Sequence, residues 1–197
     1  MNRNVTYRVW PRAVPDALCH LLKAMGDDLT AIKATLYTGE QQQGVLDETK
    51  RKTSVGFWDE THWVNGLLMH YVALANRQTW QFDLSFIAGV QYATYDGGGF
   101  FDWHKDEFDM PFGPLAPTHH IGLNRKLTAV LNLTDSDAYA GGDVLLKDAW
   151  GNTLTPEGMR EKGSVVVFPA YIVHTVTPVT SGLRNSLVGW VLGPSFR

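Results

Sequence analysis

The first third of the chain carries apolar residues at the spacing of amphipathic helices. Pro15-Asp16 predicts a helix start, because proline and an acidic residue both suit the first turn. The apolar positions that follow at helical spacing are Leu18, Leu21, Leu22, Met25, Leu29 and Ile32. A second helix is predicted over residues 61–76, with buried positions at Trp63, Leu67, Met69 or His70, and Leu74. Residues 39–44 predict a loop, and residues 54–58 predict a short strand.

From about Trp80 onward, the pattern changes to short runs rich in β-branched and aromatic residues, separated by glycine and proline. The predicted strands are residues 81–86, 89–95, 100–104, 126–133, 143–146, 164–168, 172–176 and 186–192. Many short strands without intervening helices indicate a sandwich or barrel. We therefore predict a mainly β fold of the α+β class, a cupin-like jelly roll over residues 81–197. Residues 1–80 are predicted to support it with helices, within a single domain spanning 1–197.

Composition narrows the class of protein. The chain has 197 residues, of which 44% are hydrophobic and 19% charged, with a net charge of −3. Without a Lys/Arg-rich block, a nucleic-acid partner is disfavoured. Cys19 is the only cysteine, which excludes an intrachain disulfide and suits a reducing cytosol. No apolar leader or run of about 18 apolar residues is present, so a cytoplasmic protein without a membrane partner is expected.

Two histidines and a carboxylate form the candidate metal site. His104 and Asp106 are two residues apart, so in an extended segment their side chains point to the same face. His174 follows in a second β-rich run. Two histidines and one carboxylate are the ligand set of non-haem Fe(II) oxygenases. Each histidine alone would equally fit a structural role, and the pair His119-His120 could supply a ligand instead.

A cation follows the second histidine. Pro178 and Gly182 predict a turn, after which Arg184 and Ser186 share one face of a strand. A guanidinium that enters an apolar barrel is costly unless an anion pairs with it, and its planar fork suits a carboxylate. The alternative is a salt bridge from Arg184 to Asp143 or Glu157.

The segment between Glu107 and Asn124 contains three prolines and lies beside the predicted metal ligands. A loop of this length is usually functional or disordered, so it is either a lid over the substrate or a solvated insertion. Glu107 and Asp109 are interpreted as part of its surface. The candidates for substrate contact at the open face are Phe101, Trp103, Arg125 and Trp150.

The order of these motifs resembles a known family. The matching stretches are residues 92–106, 127–135, 139–143 and 163–184. They resemble the Fe(II)/2-oxoglutarate-dependent dioxygenases, specifically the prolyl-4-hydroxylase-like (PKHD-type) branch. The resemblance implies a double-stranded β-helix in which His104, Asp106 and His174 bind iron. It further implies that Arg184 binds the distal carboxylate of 2-oxoglutarate and that Tyr95, Thr128 and Ser186 line the cosubstrate pocket.

The implied reaction is hydroxylation of an unactivated C–H bond, using O₂ and 2-oxoglutarate and releasing succinate and CO₂, with ascorbate as a possible reductant. The implied substrate is an amino acid, a peptidyl residue or a small molecule. Two positions differ from the collagen-type members, which carry lysine in place of Arg184 and a tyrosine near Asn132. These differences put a prolyl substrate in doubt.

Two other functions fit parts of the pattern. A cupin-like metal oxygenase or isomerase that needs no oxoacid would explain the three metal ligands, but it would leave Arg184 and Ser186 without a role. A non-enzymatic jelly-roll binding module would explain the histidines as structural. This module predicts no stoichiometric iron and no effect of 2-oxoglutarate on the melting temperature.

Overall fold

The computed structural model describes residues 5–37 and 44–195. Helix α1 spans Asp16–Asp27 and helix α2 spans Val64–Ala75, which continues into a π-helical turn over Asn76–Trp80. A short 3-10 helix covers Thr118–His120. No helix within the described residues combines the length and the apolar composition that crossing a bilayer requires. Most of the loop predicted at residues 39–44 lies outside the described residues.

The remaining regular structure is β. In the described part of the chain the strands are β1 (Arg8–Trp10), β2 (Ile32–Lys33), β3 (Leu36–Tyr37), β4 (Gly44–Val45), β5 (Arg51–Lys52), β6 (Ser54–Trp58), β7 (Ile87–Tyr95), β8 (Phe100–His104), β9 (Leu123–Asn132), β10 (Tyr139–Gly141), β11 (Val144–Lys147), β12 (Thr153–Leu154), β13 (Val165–Pro169), β14 (His174–Val176), β15 (Val179–Gly182) and β16 (Arg184–Pro194).

Two antiparallel sheets form the body of the fold. Within the described residues, the larger sheet has the order β1-β13-β9-β16-β7-β6-β2 and the smaller sheet has the order β12-β11-β14-β8-β5. A buried cluster that includes Val130 and Phe168 of the larger sheet and Leu146 and Val176 of the smaller one fills the space between them. The predicted mainly β jelly-roll architecture with supporting helices is confirmed.

The larger sheet is covered on both faces. Alternate residues of its central strands, such as Leu131, Val167 and Leu187, belong to one cluster with residues of both helices, such as Leu22 and Leu68. The intervening residues face the smaller sheet. Coverage on both faces explains why these strands are near-continuous apolar runs rather than alternating ones.

The two helices agree only in part with the predicted bounds and buried faces. Helix α1 starts after Pro15 as predicted, but it ends at Asp27, and Ile32 is an exposed residue of strand β2. Helix α2 was predicted with the wrong face, because Trp63 and His70 are exposed and Leu67, Met69 and Leu74 are only half-buried. Its buried apolar face consists of Val64, Leu68, Tyr71, Val72 and Ala75. This face packs on the larger sheet, whose position the helix pattern alone does not specify.

One strand prediction was also wrong. Residues 81–86 are not a regular strand, although the Ser85 N–H donates to the Leu192 carbonyl (2.7 Å) at their end. The short strand predicted at residues 54–58 is confirmed as β6, which pairs with β7 in the larger sheet. The first third also contains strands β1 to β5, which were not predicted, so it is not only helical. Short edge strands such as β5 are too brief to show a period of two residues in the sequence.

The surroundings of Gly26 on α1 and Gly66 on α2 predict opposite effects on stability when each glycine is replaced by alanine. A Cβ at Gly26 would lie within 2.6 Å of ring carbons of Tyr92, whose hydroxyl is tied to Asp27 by a 2.6 Å hydrogen bond. Gly26→Ala should therefore lower the free energy of unfolding by about 1–3 kcal/mol, as overpacking does. The matched control Gly66→Ala lies on helix α2 with open space around it and should raise that energy by up to about 1 kcal/mol. Urea unfolding of both variants tests the packing, and equal effects would contradict it.

Candidate active site

The candidate site lies between the two sheets in an open cavity, whose volume is about 420 Å³ when the solvent space at its mouth is included. The larger sheet contributes Tyr95, Thr128, Arg184 and Ser186 to the lining. The smaller sheet and the bend after β8 contribute Phe101, His104, Asp106 and His174. All three predicted metal ligands and all four predicted cosubstrate residues therefore line one cavity.

Strand pairing brings His104 and His174 together. His104 is the last residue of β8, His174 is the first of β14, and the two are direct partners in the antiparallel register. Asp106 lies beyond the strand, in a bend where its N–H donates to the Ala170 carbonyl (2.9 Å). The ligand atoms of the three side chains lie within 4.8 Å of one another. This separation allows one metal ion to contact all three.

Hydrogen bonds orient the three side chains. Nδ1 of His104 lies 2.7 Å from the Asp102 carbonyl, and Nδ1 of His174 lies 3.0 Å from the Ile172 carbonyl. An imidazole that donates from Nδ1 to a carbonyl presents an unprotonated Nε2, the form that binds metals. The Thr128 hydroxyl donates to Oδ2 of Asp106 (2.7 Å) and fixes the carboxylate.

The electrostatics favour the protonation states that metal binding requires. Burial, with a smaller contribution from His174, lowers the pKa of His104 to about 3. Burial of Asp106 opposes its ionisation, but His174, His104 and the other neighbours outweigh this effect and lower the pKa of the carboxyl. Neutral imidazoles and an ionised carboxylate are the states in which these groups act as ligands. The chemistry of the donor set therefore fits Fe(II), for which two histidines and a carboxylate are the characteristic protein ligands.

Arg184 is a buried cation beside this cluster. Its side chain is 2% exposed, its Nη1 donates to the Ser186 hydroxyl (3.2 Å), and its guanidinium lies 5.4 Å from the Tyr95 ring centroid. Nη2 has no hydrogen-bond partner, and the guanidinium forms no ion pair with any described residue. The alternative salt bridge to Asp143 is not formed, since Asp143 accepts from Arg160 (2.6 Å). An unpaired guanidinium in an apolar cavity is costly, so the site fits a carboxylate ligand.

The four residues predicted for substrate contact separate into two groups. Phe101 lines the cavity and stacks on the His104 ring with 3.4 Å between centroids. Arg125 lies behind the lining, with its guanidinium 4.0 Å from the ring centroid of Trp190. Trp103 and Trp150 do not line the cavity; they are 40% and 77% exposed. Contact of Trp103 and Trp150 with the substrate therefore stays a prediction, and tryptophan content alone does not specify the side of a strand or turn.

The 107–124 segment is held by contacts within itself and with Glu60. Phe112 and its neighbours Phe108 and His120 pack ring against ring, and Gly122 donates from its N–H to the Phe112 carbonyl (2.8 Å). His119 and His120 contact the two carboxylate oxygens of Glu60 at 2.7 and 3.2 Å. His119 and His120 therefore do not join His104, Asp106 and His174; with Glu60 they form a separate group whose ligand atoms lie within 4.8 Å of one another.

Besides four valines, three residues of the cavity lining were not predicted from the sequence: Arg51, Gln91 and Trp190. Arg51 stands between two lysines, a composition typical of a solvated surface. The signal in the sequence is the two-residue period of the strand predicted at 54–58, which, extended backward from Val55, places Thr53 and Arg51 on the same face. The structure buries all three residues.

The strands that line the cavity also match a known protein family. The family model of the 2OG-Fe(II) oxygenase superfamily matches residues 90–192. The match covers more than half of the chain, so this protein belongs to the 2OG-Fe(II) oxygenase superfamily. His104, Asp106, His174 and Arg184 lie inside the matched segment, whereas Arg51 lies outside it.

Individual relatives place the chain near one branch of the superfamily. A PKHD-type hydroxylase of Shewanella oneidensis is 33% identical over 97 residues, which are 49% of this chain and 39% of the relative. The chain therefore aligns with only about two-fifths of the length of this curated relative. The predicted resemblance to the PKHD-type, prolyl-4-hydroxylase-like branch is confirmed.

Solved structures share the fold along nearly the whole chain. A prolyl-4-hydroxylase of Pseudomonas putida has a TM-score of 0.64 at 22% identity, covering 94% of this chain and 91% of its own. The viral collagen prolyl hydroxylase of Paramecium Bursaria Chlorella virus-1, solved with 2OG, has a TM-score of 0.66 at 16% identity, covering 96% and 97%. These likenesses confirm the double-stranded β-helix.

The lowered pKa of His104 predicts acid sensitivity of the metal-free protein. The imidazole stays neutral to about pH 3 in the folded state but takes up a proton near pH 6.5 when unfolded. Between these values the unfolded state binds more protons, so the free energy of unfolding should decrease as the pH falls below about 6.5. The expected slope from this proton is at most about 1.4 kcal/mol per pH unit. Urea unfolding between pH 7 and pH 5 should show a shallower slope for His104→Asn, and an unchanged slope would contradict the assignment.

Proposed function

We propose that this protein is an Fe(II)- and 2-oxoglutarate-dependent hydroxylase that acts on a C–H bond and releases succinate and CO₂. The proposed metal ligands are His104, Asp106 and His174, and the proposed partner of the distal carboxylate of 2-oxoglutarate is Arg184. Membership of the superfamily supports the cofactor set of Fe(II), 2-oxoglutarate and O₂. The observation that carries the proposal is the buried Arg184 guanidinium, which lies without a counter-ion among the described residues in the cavity of the three ligands.

Neighbouring groups hold and orient the side chains of the three proposed metal ligands. When bound, Fe(II) with 2-oxoglutarate and O₂ supplies the oxidising chemistry that hydroxylates an unactivated C–H bond. The Thr128 hydroxyl keeps Asp106 directed toward the histidines, while the carbonyls of Asp102 and Ile172 select the imidazole tautomers. These contacts preorganise the ligands before the metal arrives.

The opposite wall of the cavity suits the cosubstrate. Arg184 offers the cation, and Ser186 can add a hydrogen bond to the same carboxylate because both residues lie on one face of β16. Tyr95 lies beside this cation, lines the same cavity as the metal ligands and is a further proposed contact of 2-oxoglutarate. Apolar side chains from both sheets complete the lining; they are Val130 and Val188 of the larger sheet and Val144 and Val176 of the smaller sheet.

The alternatives explain less of the cavity. A cupin-like oxygenase or isomerase that uses no oxoacid would leave the Arg184 charge uncompensated. A non-enzymatic binding module would need neither a neutral His104 nor the fixed Asp106 carboxylate. The stoichiometry of bound iron and the effect of 2-oxoglutarate on the melting temperature separate the three functions.

An amino acid or peptidyl residue is the proposed substrate class. The similar curated protein is named a PKHD-type hydroxylase, and the similar structures are prolyl hydroxylases. A mass-spectrometric search for products that gain one oxygen atom tests this class, with ascorbate added as a reductant. Arg184 and Asn132, which differ from the collagen-type pattern, argue against assuming proline.

His174→Ala should abolish succinate formation from 2-oxoglutarate and reduce bound iron well below one per chain, because two ligands cannot hold the ion in place of three. Iron is measured on anaerobically purified protein and succinate by mass spectrometry. The control His119→Ala removes an exposed histidine that contacts Glu60, and it should retain both properties. Full iron content and turnover in His174→Ala would refute the ligand assignment.

Arg184→Ala should raise the KM for 2-oxoglutarate by about 10- to 100-fold, the range expected for losing a hydrogen-bonded charge partner. Bound iron should be unchanged, because the guanidinium is not a ligand. The control Arg77→Ala removes an equal charge from an exposed position in the π-helical turn and should leave the KM unaltered. An unaltered KM in Arg184→Ala would mean that the cosubstrate binds elsewhere.

A further inference from the structure

The cavity contains a second arginine for which the proposed iron and cosubstrate sites provide no role. Arg51 belongs to edge strand β5, where its backbone pairs with Phe101 of β8. Its side chain is directed inward and the residue is 7% exposed. It lines the same cavity as the three proposed metal ligands and Arg184.

Among the described residues Arg51 forms no ion pair. Burial lowers the pKa of the guanidinium and outweighs the Tyr95 hydroxyl and the more distant Asp106 carboxylate, which favour its charged form. Its Nη2 donates to the amide oxygen of Gln91 (3.1 Å), which is neutral, and its guanidinium lies 4.4 Å from the Phe101 ring centroid. Nε is buried without a hydrogen-bond partner. Within the described residues, no carboxylate lies within 4.0 Å of the guanidinium. Its Nε is therefore a buried donor without an acceptor among the described residues.

Asp106 cannot neutralise both arginines. It is the single carboxylate among the described residues that line the cavity. Its Oδ2 accepts from Thr128 (2.7 Å), and its two oxygens lie 3.4 and 3.7 Å from the imidazole nitrogens. In the proposed enzyme this carboxylate would also bind the metal.

The charges in the cavity do not balance when the metal and 2-oxoglutarate are included. The lining supplies two guanidinium groups and one carboxylate, and the proposed function adds a divalent cation and a dicarboxylate. One positive charge remains uncompensated in a buried cavity, where an unpaired charge is costly. A second small anion would complete the balance, whichever arginine 2-oxoglutarate contacts.

We propose that the substrate to be hydroxylated carries a free carboxylate and that Arg51 binds it. This inference rests on the proposed function, because the charge count includes the metal and 2-oxoglutarate. It favours a free amino acid or another small carboxylic acid over an internal residue of a protein chain. Arginine suits this role since its rigid fork binds carboxylates with defined geometry.

The test compares acids with their own amides. Protein loaded anaerobically with Mn(II) is first titrated with 2-oxoglutarate, and the ternary complex is then titrated calorimetrically with free and N-acetylated L-amino acids and with the matching carboxamides. At least one acid should bind about tenfold or more tightly than its amide. Arg51→Gln should remove this preference and Arg51→Lys should restore part of it, while the Kd of 2-oxoglutarate changes less than about threefold.

Lys52→Gln is the matched control, since it removes the same charge from the adjacent, exposed position of strand β5. It should leave the preference for acids intact. The inference is overturned if no acid exceeds its amide in the wild-type protein, or if the preference survives in Arg51→Gln. It is also overturned if Arg51→Gln weakens 2-oxoglutarate about tenfold, which would assign the residue to the cosubstrate. Failure of the wild-type protein to bind 2-oxoglutarate would instead refute the proposed function itself.

Discussion

The antiparallel pairing of β8 with β14 is the interaction on which the site depends. It sets His104 opposite His174, although the two residues are 70 positions apart in the sequence. The bend after β8 then returns Asp106 to the same point, held by the Ala170 carbonyl. A slip of one residue in this register would turn a histidine to the other face of the sheet. Backbone hydrogen bonding thus brings the three proposed metal ligands together without a bound metal.

The larger sheet performs two tasks with alternate residues of the same strands. One face, which includes Leu131 and Leu187, packs on the helices and stabilises the fold by burying apolar surface. The other face directs Thr128, Arg184 and Ser186 into the cavity. Because the helices cover the first face, the second can carry polar and charged groups at the expense of stability. The buried guanidinium groups without ion pairs lower the folding stability, as is typical of functional sites.

The family match and the fold match differ in extent, and the difference is informative. The superfamily model covers residues 90–192, which contain the proposed metal ligands and Arg184. The structural likeness extends over more than 90% of the chain and so includes the N-terminal part. Arg51 comes from this part, where the shared fold is not accompanied by a match to the family model. In our proposals, the common chemistry therefore lies in the matched strands and substrate selection in a segment outside them.

The sequence by itself determined the order of the chemical groups, the mainly β class and most of the long strands, because period-two alternation and residue type are local properties. It also indicated that Arg184 and Ser186 share a face, for the same reason. Only the tertiary structure decided which strands pair and which strand faces lie opposite each other across the cavity. The register between distant strands, the stacking of the two sheets and the docking of α2 depend on contacts between residues far apart in the chain. These contacts brought Arg51 into the cavity, left Trp103 and Trp150 outside it, and paired His119 and His120 with Glu60.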